Sequence, residues 1–126
     1  MNEHCLTLSP LGHTWIFDLD GTVMKHNGYK LDGKDTFLPG AIEFLRQIPP
    51  EDMIVFLTSR TEMYRSCTTK ALREAGIRYD HIIFDAPYGE RILVNDNKPS
   101  GLVTGIAVNT QRDVWGKFNV EIDPTL

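Results

Sequence analysis

The chain has 126 residues, of which 41% are hydrophobic and 24% charged, and its formal net charge is −4. This length and composition predict a single domain over 1–126 with one modest core. The acidic balance makes nucleic acid an unexpected partner, because general nucleic-acid binders carry a basic face. The apolar runs are too short to span a membrane and the amino-terminal segment lacks a secretory-signal pattern, so we expect no membrane association and a cytoplasmic location.

The first predicted strand covers 14–17 and follows a polar lead-in at 1–12, which we expect to be irregular. It runs directly into Asp-Leu-Asp-Gly-Thr at 18–22. Two acids, Asp18 and Asp20, at the end of a buried strand repel each other and create a site for a cation. Ligands of open α/β sheets also bind at the carboxyl ends of strands. A simple Asp-Gly turn is the structural alternative for this stretch.

The polar segment 25–38 contains Asn-Gly and Asp-Gly pairs, which mark tight turns. It therefore predicts a short hairpin flap, too small to fold as a separate cap. The flap follows the acid pair directly, so it is placed either to cover a site there or to form a solvated surface hairpin.

The next elements are a helix opened by Pro39-Gly40 and ended by Pro49-Pro50, and a second apolar strand at 53–57. Thr58, Ser59 and Arg60 follow this strand, and a second helix then ends at Gly76. The amino end of that helix favours an anion near Thr58, although Ser59 or Thr61 is also expected to cap the helix.

Three further strands are predicted at 81–84, 91–94 and 104–108, with Asn95 and Asp96 after the fourth. The tail is expected to be ordered, but its sequence does not place it. Strands that alternate with helices over short connections predict a doubly wound α/β sheet. Because three strands end in polar clusters, we expect a shared site at one edge of the sheet.

These motifs, in this order, resemble the haloacid dehalogenase (HAD) superfamily of phosphohydrolases, and the likeness covers about 13–108. The resemblance implies a Rossmann-like core of parallel strands flanked by helices, a Mg²⁺ cofactor and an aspartyl-phosphate intermediate. The short flap resembles the small members of the family, which lack a full cap domain.

The resemblance also implies the site residues. Asp18 matches the nucleophile, and Asp20 matches the general acid that protonates the leaving oxygen and then activates water. Thr58 matches the phosphate-binding hydroxyl, with Ser59 beside it. Asp96 matches the acid that completes the magnesium site with Asp18 and Asp20. Phosphoryl transfer needs alignment and charge neutralisation, which a cation and fixed donors supply.

The phosphate-binding Lys that the family places in the loop before the last acid is missing from 85–90. Two candidates for the missing cation are Lys98, which lies just after Asp96, and Arg60. An Arg two residues after the hydroxyl also occurs in the phosphatase domain of phage polynucleotide kinase. Lys98 facing solvent is the alternative. Asn95 stands where many members have Asp or Gly.

The preferred function is therefore a Mg²⁺-dependent phosphatase acting on a small phosphorylated metabolite. The run at 94–101 is similar to members found with sugar and surface-polysaccharide biosynthesis, which suggests a sugar phosphate. A nucleic-acid 3′-phosphatase and a noncatalytic phosphate-binding or regulatory module are the alternatives. The sequence leaves a homo-oligomer open, since a neighbouring subunit is one source of substrate specificity.

Overall fold

A computed structural model describes residues 3–126 as an α/β protein with parallel strands. Phe17, Phe56 and Ile82 lie side by side in the register of its three-stranded sheet, so all three strands end at the same edge. The strands run in the order β2-β3-β4, with bounds Thr14–Phe17, Met53–Leu57 and His81–Ile83. The predicted α/β class with a parallel sheet is confirmed.

Two helices pack on one face of this sheet. Helix α2 spans Ala41–Gln47 and helix α3 spans Arg65–Glu74, with a 3₁₀ turn before it at Glu62–Tyr64. Leu45 and Leu72 from these helices share a buried core with the alternate strand residues Phe17, Ile54 and Phe56. Both helices follow their sequence predictions closely, but neither is capped by a side chain, so the predicted Ser59 or Thr61 cap is wrong.

The opposite face of the sheet carries exposed apolar residues. Ile16, Met53 and Ile83 are 53%, 41% and 51% exposed. The buried core found among residues 3–126 lies on the other side. The doubly wound arrangement is therefore not observed in this part of the chain, because a doubly wound sheet is covered on both faces. The Rossmann-like arrangement stays a prediction.

The amino-terminal segment is a strand, and the prediction of an irregular lead-in is wrong. Strand β1, His4–Leu8, pairs in parallel with β5, Phe118–Ile122, in a separate two-stranded sheet. Leu6 and Leu8 alternate with more exposed residues in β1, which is the period-two pattern of a half-buried strand. This pairing also places the tail.

No regular strand occurs over 85–117 within the described residues, so the strands predicted at 91–94 and 104–108 are wrong. Ile92 and Val94 are 85% and 89% exposed. A short apolar run forms a regular strand only when a neighbouring strand is available to pair with it. Here the run at 91–94 makes no backbone hydrogen bonds to another segment among the described residues.

The flap at 25–38 differs from the predicted hairpin at its tip. Its stem is closed by a backbone bond from Lys25 to Thr36 and by an antiparallel bridge between Met24 and Phe37. Between them lies the short helix α1, Gly28–Leu31. No helix in the described part of the chain has the length and apolar character needed to cross a membrane.

Candidate active site

An outer cluster of Asp18, Thr22, Ser59 and Arg91 lies at the carboxyl ends of β2 and β3. Arg91 Nη1 donates to Asp18 Oδ1 at 3.0 Å, and Nη2 donates to Ser59 Oγ at 3.3 Å. Thr22 Oγ1 donates to Asp18 Oδ2 at 3.0 Å. The Asp18 and Arg91 side chains are 34% and 35% exposed, so a solute can reach both. The Asp18 carboxylate and the Arg91 guanidinium are therefore in contact at a solvent-accessible position.

An inner cluster of Asp20, Tyr29, Asp35 and Thr68 surrounds the buried side chain of Arg60. Asp20 accepts from Arg60 Nε and Nη2 at 2.9 and 3.0 Å. Asp35 accepts from Nη1 and Nη2 at 3.0 and 2.6 Å, and Thr68 Oγ1 accepts from Nη1 at 2.9 Å. These contacts engage all five N–H donors of the guanidinium, so Arg60 has no donor left for another ligand in this conformation.

Burial and charge in the inner cluster set the properties of two side chains. Burial alone lowers the pKa of Arg60, but its hydrogen bonds to Asp35 and Asp20 outweigh this effect and raise that pKa above its ordinary value. The Tyr29 ring covers the guanidinium, with its centroid 3.9 Å from Cζ. Burial, followed by the negative charge of Asp20, raises the pKa of Tyr29. Arg60 therefore stays a cation with both of its carboxylate partners in place.

The loop after β2 holds the two acids by its own backbone bonds. The Leu19 carbonyl accepts from the amides of Val23 and Met24, which makes a tight turn. Gly21 has φ +84° in this turn, a conformation that favours glycine. The turn holds Asp18 and Asp20 close together, with Asp18 in the outer cluster and Asp20 in the inner cluster. The simple-turn alternative is therefore correct for the backbone, but it does not account for the contacts of the two side chains.

The predicted phosphate-binding hydroxyls lie in different environments. Thr58 is 1% exposed, and its Oγ1 accepts from the Arg60 amide at 3.1 Å. Ser59 Oγ donates to the Pro87 carbonyl at 3.3 Å and contacts Arg91 in the outer cluster. The structure brings Asp18 and Ser59 together through Arg91, and Asp20 and Arg60 together directly, whereas the Thr58 hydroxyl holds the backbone of the loop.

Asp96 and Lys98 lie within 87–101, where every residue is exposed. The Asp96 carbonyl accepts from the Thr104 hydroxyl, and Lys98 closes a turn through its backbone. No contact joins either side chain to Asp18 or Asp20 among the described residues. The roles predicted for Asp96 and Lys98 stay predictions.

The loop after β2 carries the oxygen atoms that could bind magnesium in this site. Asp18 offers a hard carboxylate on this turn with a side chain 34% exposed, and Asp20 offers its backbone carbonyl, whereas both Asp20 carboxylate oxygens accept from Arg60. Mg²⁺ is often held by one or two carboxylates together with water and substrate phosphate, so this donor set fits the ion. Within residues 3–126, no group of three or more His, Cys, Asp or Glu side chains is arranged to hold a metal.

Sequence reasoning missed Arg91 and Asp35. Arg91 directly follows the 85–90 loop that lacks the family's Lys, and the apolar run at 91–94 predicts a strand there, which hides its role. Asp35 lies in the flap, where an acid is typical of a solvated turn, so its contact with Arg60 depends on how the flap folds back.

Comparison with protein-family models, curated proteins and solved structures found no match for this chain.

Proposed function

We propose that this protein is a Mg²⁺-dependent phosphomonoesterase that forms a covalent intermediate on Asp18. The observation that carries the proposal is the outer cluster, where Arg91 donates to Asp18 at 3.0 Å and to Ser59 at 3.3 Å. A phosphate monoester that replaces the direct ion pair would meet a carboxylate nucleophile and a cationic fork together. Arg is suited to this role because its planar fork binds phosphate oxygens in pairs.

Each residue of the proposed site has a separate task. Asp18 attacks phosphorus and the leaving alkoxide departs, which leaves an acyl phosphate on Asp18. Asp20, protonated at the start of the cycle, gives its proton to the leaving oxygen. It later takes a proton from the water that attacks phosphorus, which breaks the bond between phosphorus and Asp18 and releases inorganic phosphate. Arg91 and Ser59 bind non-reacting phosphoryl oxygens. Mg²⁺, when held by Asp18 and the Asp20 backbone carbonyl, supplies charge neutralisation for the phosphoryl group.

The proposed fold is a small HAD-like domain without a full cap, in line with the family resemblance. The missing loop Lys no longer argues against activity, because Arg91 supplies a cation beside the nucleophile. The proposed substrate class is a small phosphorylated metabolite, with a sugar phosphate as the first candidate. The open outer cluster and the acidic net charge favour a small anion over a polyanionic nucleic acid.

The test is hydrolysis of a generic aryl phosphate by the wild-type chain and by Asp18→Asn. We expect turnover with Mg²⁺, none after chelation by EDTA, and loss of at least about 10³-fold in kcat for Asp18→Asn, because the amide is a poor nucleophile. Glu43→Gln, a substitution on α2 away from the site, is the control. Undiminished turnover by Asp18→Asn would remove the proposed nucleophile.

A substrate panel then separates the remaining functions. It contains sugar phosphates, nucleotides and 3′-phosphorylated oligonucleotides. Preference for the oligonucleotides would favour a nucleic-acid 3′-phosphatase. Phosphate binding without turnover of any member would favour the noncatalytic module.

A further inference from the structure

We propose that Asp35 of the flap is a positioning residue, which aligns Asp20 for proton transfer by holding the far edge of the Arg60 guanidinium. The proposal rests on the phosphatase function proposed above and adds a residue and a task to it. The contact that motivates it joins two carboxylates, Asp20 and Asp35, through one buried cation.

The first step is the geometry of the guanidinium. Asp20 occupies the edge formed by Nε and Nη2, and Asp35 occupies the edge formed by Nη1 and Nη2. A guanidinium held by forks on two edges cannot rotate in its plane without breaking hydrogen bonds on both sides. Asp35 therefore fixes the direction in which Arg60 presents its other edge to Asp20.

The second step is burial. The Arg60 and Asp35 side chains are 0% and 2% exposed, whereas Asp20 retains 16%. The buried Asp35 carboxylate neutralises the buried guanidinium by itself, so Arg60 keeps a charged partner when Asp20 holds a proton. Asp20 is the most exposed of these three side chains, and the enclosed Arg60–Asp35 pair supports it through the guanidinium.

The third step concerns the elements that supply the side chains in contact with Arg60. Asp35 and Tyr29 both belong to the flap, and Tyr29 covers one face of the guanidinium. Thr68 reaches the same group from α3 and also donates to the Tyr64 carbonyl at 2.7 Å. The flap thus contributes to the site by fixing Arg60.

The experiment compares Asp35→Asn with Asp32→Asn in steady-state hydrolysis of aryl phosphate at saturating Mg²⁺. The Asn side chain preserves shape but removes the charge and one acceptor of the fork. We expect kcat to fall by about 10- to 100-fold, because a misplaced acid loses alignment with the leaving oxygen. We expect KM and the inhibition constant of inorganic phosphate to change less than about twofold, since Arg91 and Ser59 remain in place.

Asp32→Asn is the matched control, because Asp32 is an acid of the same flap that pairs with exposed Lys25 at 2.8 Å. It should leave kcat and KM at wild-type values. Circular dichroism and thermal melting of each variant monitor folding. If Asp35 only stabilises the fold, Asp35→Asn should lower the melting temperature or the fraction of active protein. The molecules that remain folded, counted by active-site titration, should then have wild-type kcat and KM.

Three results overturn the proposal: an Asp35→Asn variant with wild-type kcat, one in which KM rises as much as kcat falls, or an equal loss in Asp32→Asn. If Asp35→Asn does not fold, Asp35→Glu moves the fork by one methylene, and a folded Asp35→Glu with wild-type kcat overturns the proposal.

A wild-type protein without phosphatase activity defeats the proposed function instead. In that case, the NMR signals of the Arg60 Nη protons still test the fork: averaged signals in the wild type would refute it.

Discussion

At the scale of single residues, the two arginines beside the acid pair have different environments. Arg60 is enclosed and fully engaged by protein acceptors, whereas Arg91 is about one-third exposed and contacts the more accessible acid. A ligand can displace the Arg91 contact with Asp18 at small cost, because partly exposed ion pairs contribute little to stability. Displacing Arg60 would leave buried charges without partners, which is far more costly. Arg91 is therefore the better placed cation for an incoming phosphate.

Replacing Arg91 by Ala should reduce kcat/KM for aryl phosphate by about 10- to 100-fold, the value of one or two charge-assisted hydrogen bonds. Most of this loss should be in KM. The unfolding free energy should change by less than about 1 kcal/mol, since the ion pair is partly exposed. Steady-state kinetics and urea unfolding of the same preparations measure the two quantities.

The comparison for this prediction is Lys98→Ala, because Lys98 is the other lysine or arginine near the predicted final motif. If Arg91 binds the phosphate, Lys98→Ala should keep the wild-type kcat/KM. The reverse pattern, a loss for Lys98→Ala alone, would assign the phosphate contact to Lys98 and contradict the role proposed for Arg91.

At the scale of elements, the start of α2 depends on a close contact with the carboxyl-terminal segment. Gly40 has φ +95°, and a Cβ there would lie 3.0 Å from Cδ1 of Trp115. Trp115 is 7% exposed and packs against Phe44 of α2 and Phe118 of β5. The contact thus joins the helix, the core and the two-stranded sheet.

Gly40→Ala should lower the unfolding free energy by about 2–3 kcal/mol, because it adds steric contact with Trp115 to the strain of a positive φ. Gly33→Ala is the control: Gly33 has φ +73° with nothing within 4 Å of its Cβ position. It should show the conformational strain alone, about 1–2 kcal/mol. Equal losses in urea unfolding would mean that the Trp115 contact is unimportant.

The elements also show what the sequence could and could not predict. The helices at 41–47 and 65–74 were predictable because their apolar spacing and their Pro and Gly boundaries are local signals. The acid pair was predictable because it ends a strand. The contact between Asp35 and Arg60 joins residues 25 apart, and the β1–β5 pairing joins the two ends of the chain. Such contacts depend on tertiary folding, which no local pattern encodes.

At the scale of the whole molecule, two regions differ in how their backbone is bonded. Strand β3 is paired on both sides, by β2 and by β4. Over 88–110, the backbone–backbone hydrogen bonds among the described residues are those from Lys98 to Leu102 and from Gly101 to Lys98. The central sheet therefore supports the acid pair, while Arg91 comes from a segment with little backbone support of its own.

Hydrogen exchange followed by mass spectrometry tests this division. Amides at 54–56 should exchange only through global unfolding, and those at 91–97 should exchange several orders of magnitude faster, because unbonded exposed amides open at almost no cost in free energy. Adding inorganic phosphate and Mg²⁺ should slow exchange near Arg91 if phosphate holds its side chain against Ser59, and should leave 54–56 unchanged. Protection of 91–94 equal to that of β3 without ligand would contradict the unpaired conformation, since it requires a partner strand for that run.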